Sequence, residues 1–181
     1  MPGWVGRPRA APAHLVLDHE SFSLYESHRG QFFTDAAPDH GLAQATRLMS
    51  GWGVKFFDYD NDGNVDLLLC NGHPDLMVEQ RLQNVGYRER LLLFQNTGKG
   101  WKNLSAQSGP IFSRALAGRG MAVGDFDNDG SLDVLIAQND DAPVLLRNHA
   151  GKQNHWLGLK LVGRKENSDA IGAKVTYQAG D

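Results

Sequence analysis

The chain has 181 residues, 41% of them hydrophobic and 21 of them glycine, and its 18 basic and 21 acidic side chains leave a net charge of −3. That length can bury a sizeable core, and the glycine content suits a turn-rich β protein. The basic residues are scattered without aromatic interleaving, which excludes a nucleic-acid surface. No stretch approaches the ~18 apolar residues of a membrane span.

In chain order, residues 1–13 contain Pro2, Pro8 and Pro12 and show no apolar periodicity, so 1–19 reads as an irregular N-terminal segment. Residues 1–20 also lack the apolar core of a signal peptide, about 7–15 residues long. Residues 23–27 and 33–37 are strand-like. The apolar stretch 53–57 then leads into Asp58, Asp60, Asp62, Gly63, Asn64 and Asp66, and the run 65–70 follows. The same order recurs with 120–124, then Asp125, Asp127, Asp129, Gly130, Ser131 and Asp133, then 132–137. The apolar runs after the loops are rich in branched residues and read as strands buried on both faces.

Each loop has aspartates at positions 1, 3, 5 and 9 and glycine at position 6, and the two loops hold eight of the chain's acids. Alternate spacing on a tight turn points the carboxylates inward, and glycine supplies the bend. Four carboxylates held this close repel without a cation. Oxygen donors in a flexible cage suit calcium better than magnesium. The expected ligands are the side chains of Asp58, Asp60, Asp62 and Asp66 and the carbonyl of Asn64. Asp125, Asp127, Asp129, Ser131 and Asp133 repeat that set, so about two calcium ions are expected. The plain alternative is an acidic turn, since Asp-Asn-Asp-Gly is also good turn chemistry. An EF-hand needs glutamate at position 12, and Leu69 and Ile136 stand there instead.

The repeat extends beyond the loops. Phe33 aligns with Trp101 and Gly41 with Gly109, while residues 23–27, 92–96 and 144–148 occupy equivalent places. About four short strands per unit, separated by glycine-rich turns, signal a propeller or solenoid. Residues 74–89 interrupt the repeat, with one or two helical turns expected near 76–82. Cys70 is the one cysteine and reads as a buried, inert thiol on a central strand. The histidines show no zinc-hydrolase spacing, and no Gly-x-Ser-x-Gly elbow occurs. His73, just after the first buried strand, either faces a ligand or ties down its turn.

The loops and their flanking strands resemble FG-GAP/VCBS repeats, the calcium-bearing blades of integrin-α-type β-propellers. Residues 154–163 and 167–175 resemble the start of an ASPIC/UnbV domain, as in the cartilage acidic protein 1 family. Asn71-Gly72-His73 and residues 90–98 are smaller matches to that family. The resemblance implies an all-β fold, a partial β-propeller followed by the start of a β-rich ASPIC/UnbV domain. On that reading 20–47 is the tail of a preceding blade and 48–114 the first calcium blade. The second calcium blade is 115–153, and 154–181 is a truncated ASPIC/UnbV domain. The chain is then expected to be part of a longer protein, with the missing blades of the same propeller as neighbours.

The expected function is a calcium-binding, non-catalytic repeat module for adhesion to an extracellular protein or glycan, secreted or periplasmic as the full-length protein. The alternatives are the propeller part of a polysaccharide lyase or hydrolase, and a purely structural scaffold.

Overall fold

The computed structural model describes residues 10–14, 20–165 and 167–178, with 10–14 and Gln153 described by backbone alone. The early strands are β1 (Ala10–His14), β2 (Ser23–His28) and β3 (Phe32–Asp35), followed by a short helix α1 (Leu42–Thr46). The first aspartate hairpin joins β4 (Gly51–Phe57) to β5 (Asp66–Asn71). After it come β6 (Glu89–Arg90), β7 (Leu92–Asn96), β8 (Trp101–Asn103) and β9 (Ala115–Leu116). The second aspartate hairpin joins β10 (Gly118–Gly124) to β11 (Asp133–Gln138), and β12 (Asp141–Leu146) follows.

The fold is all-β, built of small antiparallel sheets ordered β1-β2-β3, β4-β5-β7-β8 and β10-β11-β12, with a two-stranded link β6-β9. These sheets form no closed ring among the described residues. No helix there is long and apolar enough to cross a membrane. Several early expectations need correction. Ala10–His14 pairs with β2 rather than lying in irregular chain; the rest of 1–19 lies outside the described residues. The second unit has three strands rather than about four. No strand forms in the described part of 154–178, where one was expected. Trp156, Leu157, Leu159, Ile171 and Tyr177 there are exposed, because no strand among the described residues covers them. An apolar alternation becomes a strand only when something pairs with it.

Side-chain alternation divides β5 between two cores. Leu67 and Leu69 pack with Phe22, Leu24, Leu42, Leu92 and Phe94. Leu68 and Cys70 face the other way, against Leu93, Phe112, Leu116, Val134 and Ile136. All six β5 residues are buried, and each leucine so enclosed contributes roughly 1.5–3 kcal/mol. Burial also pushes the Cys70 thiol up to about 11, leaving it uncharged and inert. β11 was expected to be buried on both faces and is not. Val134 and Ile136 face the core, while Leu135 is 47% exposed, since only one sheet packs on β11.

The two hairpins also share an irregularity. Pairing shifts between Gly51 and Gly53 in the first and between Gly118 and Gly120 in the second. The residues bulged out at these shifts, Trp52 and Arg119, meet each other. The Arg119 guanidinium lies 4.7 Å from the Trp52 ring and 5.4 Å from that of Tyr87. It donates to the carbonyls of Gly72 (3.1 Å) and His73 (2.8 Å), and Trp52 Nε1 donates to Gly72 O at 2.6 Å.

This seam requires close backbone approach at Gly118. A Cβ there would overlap Cys70 Sγ and lie 2.8 Å from Asn71 O, whereas one on Gly120 meets nothing within 4 Å. Gly118→Ala is therefore expected to lower unfolding free energy by about 1–3 kcal/mol. Gly120→Ala should stay within about 0.5 kcal/mol. Parallel urea titrations of the two variants check the difference.

Candidate metal centre

Each hairpin closes directly around its aspartates, because Phe57 pairs with Asp66 and Gly124 with Asp133 at the loop ends. The intervening turn needs left-handed backbone twice. Asn61 and Asn128 each have φ 57°, and Gly63 and Gly130 have φ 88° and 85°. Asparagine tolerates the first value and glycine the second without penalty. The first aspartate caps the turn from inside: Asp58 accepts from the N–H groups of Asp62 (3.0 Å) and Gly63 (2.8 Å). Asp125 repeats this with Asp129 and Gly130, both at 3.0 Å.

The ninth aspartate anchors the root. Asp66 is fully buried and accepts the N–H of Tyr59 (3.1 Å) and of Asn96 (2.8 Å). Asp133, 2% exposed, accepts from Phe126 (3.0 Å) and Asn148 (2.8 Å). In the same way, the Asn96 side chain donates to Val65 O and that of Asn148 to Leu132 O. Asn96 and Asn148 are thus part of each loop's frame. Sequence reasoning placed them only as strand residues, although the repeat already set them in equivalent places.

Three carboxylates converge in each loop, Asp58 with Asp60 and Asp66, and Asp125 with Asp127 and Asp133, with ligand atoms within 4.8 Å of one another. The fifth-position aspartates stand apart from these groups. Asp62 accepts from both the backbone N–H and the side-chain amide of Asn64, and Asp129 accepts from Ser131 N–H. The structure therefore brings together six of the ten expected ligands as two triads. Asp62, Asn64, Asp129 and Ser131 form the adjoining turns.

The first triad is electrostatically uncompensated. Burial pushes the Asp66 carboxyl up to about 7, opposed by the N–H groups of Asn96 and Tyr59 and reinforced by Asp60 and Asp62. Burial likewise raises Asp60, with the Gln95 amide opposing and the Asp62 and Asp58 charges adding to the rise. The Tyr59 hydroxyl is pushed up to about 12, by burial first and then by Asp60 and Asp66. Gln95 Nε2 donates to Asp60 Oδ2 at 2.7 Å, while the buried Asp60 Oδ1 has no hydrogen-bond partner. A buried acceptor left without a donor costs about 1–3 kcal/mol, and a hard cation among three carboxylates would remove that cost. The first donor set fits calcium on this ground.

The second triad is arranged differently. Arg147 pairs with Asp127, and Lys152 Nζ lies 3.1 Å from Asp129 Oδ2. The N–H of Ser131 and then Lys152 hold the Asp129 carboxyl below its usual range. The loops also touch one another: Asn61 donates to Gly130 O (3.1 Å) and Gly151 O (3.3 Å), and Asn148 donates to Tyr59 O at 2.6 Å. Trp156 packs directly over Gly130, where any Cβ would overlap the indole.

His73 resolves toward the turn. It is buried, and its Nδ1 accepts the N–H of Asp75 at 3.0 Å. Residues 74–89 contribute a single 3₁₀ turn at Val78–Gln80.

Repeated β-hairpins with aspartate-lined turns, packed sheet against sheet, define a β-repeat protein whose aspartate clusters could hold a metal ion. A family model described as FG-GAP-like repeat matches residues 71–136, from the end of β5 through the second aspartate loop into β11. The chain thus contains an FG-GAP-like repeat over about a third of its length. No curated protein matches it.

Because Gly63 has φ 88° and open space around it, substitution there tests the bend alone. Gly63→Ala should cost about 1–2 kcal/mol and Gly63→Asn less. Chemical denaturation in chelator reads this without any contribution from metal.

Proposed function

We propose that this chain is a calcium-binding β-propeller repeat module without catalytic activity of its own, whose role is adhesion to an extracellular protein or glycan. One observation carries the metal part: Asp60 Oδ1, buried and without a donor, beside Asp58 and Asp66. The all-oxygen donor set favours calcium over softer metals and over magnesium, which demands a stricter octahedron. The engagement of His73 in its own turn supports the non-catalytic reading. The open face of β11 and the exposed apolar residues of 154–178 support further blades of the same propeller and an ASPIC/UnbV-like segment as neighbours in space. An extracellular or periplasmic setting follows from the metal, because sites of this modest kind fill where calcium is near millimolar.

Calcium should act as a ligand of the native state only. With a dissociation constant of about 10⁻⁴ M, about 1 mM calcium adds about 1.4 kcal/mol per occupied site. Thermal melts in calcium, magnesium and chelator are expected to show a calcium-specific rise. Asp60→Ala should abolish most of that rise and weaken calcium binding together. An unchanged melting temperature across all three conditions would refute the metal reading.

A further inference from the structure

The two loops share all four aspartates, the asparagine and the glycine, and differ at Tyr59/Phe126, Asn64/Ser131 and Val65/Leu132; a further difference in charge lies at the position that meets the third-position aspartate. Strand β7 ends in Gln95-Asn96, and the corresponding chain after β12 is Arg147-Asn148. The two asparagines do the same work, each giving its N–H to the ninth aspartate. Their preceding neighbours both reach the third aspartate, but with different chemistry. Gln95 offers Asp60 a neutral amide and leaves Oδ1 without a donor. Arg147 brings a guanidinium to Asp127. Lys152, on the 3₁₀ turn Ala150–Gln153, adds a second positive charge at Asp129. Among the described residues no ion pair reaches Asp58, Asp60, Asp62 or Asp66.

From this, and resting on the calcium reading above, we infer that the two loops are unequal: the first takes a divalent cation at the modest affinity given above, while in the second Arg147 and Lys152 stand in for the metal. The second donor set does not fit a cation in this arrangement. An ion at Asp125, Asp127 and Asp133 must first displace the guanidinium from Asp127, and then bind with that positive charge still tethered nearby. Two of the second loop's four acids, Asp127 and Asp129, already pair with cations, whereas among the described residues none of the first loop's does. Exchange is open to Arg147 because its side chain is 55% exposed, and an exposed pair of this kind is worth little by itself. The second loop therefore keeps its hairpin closed without calcium, and the first depends on calcium for charge balance.

Calorimetric titration of calcium chloride into the chelator-treated chain tests the inference, using the wild type, Asp60→Asn, Asp127→Asn and Arg147→Gln. The expected wild-type result is one bound ion, lost in Asp60→Asn and retained within about twofold in Asp127→Asn. Arg147→Gln, which recreates the Gln95 arrangement, should tighten the second site by about tenfold, the scale of removing one positive charge at close range in a water-like dielectric. Two equivalent wild-type ions, or equal losses in Asp60→Asn and Asp127→Asn, would overturn the inequality and leave calcium binding intact. A single ion in both wild type and Arg147→Gln would remove Arg147 as its cause. No binding by any of the four proteins would instead remove the calcium reading itself.

Discussion

Asp66 sits at the root of β5, shut off from solvent, and accepts one N–H from across its own loop and another from the neighbouring strand β7. Asp133 does the same in the second hairpin, with Phe126 and Asn148. A buried carboxylate is costly unless its oxygens are engaged. Each therefore requires three segments of chain in register at once: the strand before the loop, the strand after it, and the end of the next strand. The rest of each hairpin inherits its geometry from that requirement. The loop must turn back within eight residues, which places left-handed backbone at Asn61 and Gly63, and at Asn128 and Gly130. Once the turn is made, the first and third aspartates face the ninth.

This constraint explains which parts of the protein could be read from residue order. Carboxylate spacing survives into three dimensions because a tight turn leaves few ways to place alternate side chains, and three of the four aspartates of each loop converge. The fifth-position aspartates escaped the pattern because a local partner two residues on, Asn64 or Ser131, competes for their oxygens. Asp-x-Asn turns of that kind satisfy the backbone whether or not a cation is present. The roles of Asn96 and Asn148 were invisible for a different reason. Their contribution is made by backbone N–H and a short amide at the end of a strand, and nothing in composition marks such a position.

The strands show the same division. The β5 segment reads as doubly buried and is, because sheets lie on both sides of it. β11 has nearly the same composition, yet Leu135 faces outward. Sequence specifies that a residue is apolar, but the neighbour that covers it is a property of the assembly. Residues 154–178 carry the argument to its limit. Their alternation is as strand-like as that of β10, but without a paired edge the described residues there form no ladder. The bulged Trp52 and Arg119 were equally hidden, since each stands one residue before the apolar stretches 53–57 and 120–124. Their importance lies in the seam, where repeat-related positions meet each other and the carbonyls of Gly72 and His73.

Contact between the two loops gives the charge difference a structural consequence. Asn61 holds the backbone of the second loop at Gly130 and of the following turn at Gly151, while Asn148 and Asn154 return the contact to Tyr59 and Asp60. The carbonyl held by Asn154 belongs to the aspartate with the unpartnered oxygen. An ion that orders Asp60 therefore also fixes the acceptor on which Asn154 rests. The second loop, whose Asp127 and Asp129 pair with Arg147 and Lys152, lies directly against the first through the Asn61 and Asn148 bonds. Two nearly identical sequences thus differ in charge balance: Asp127 and Asp129 meet the cations Arg147 and Lys152, whereas the Asp60 carboxylate meets the neutral amide of Gln95.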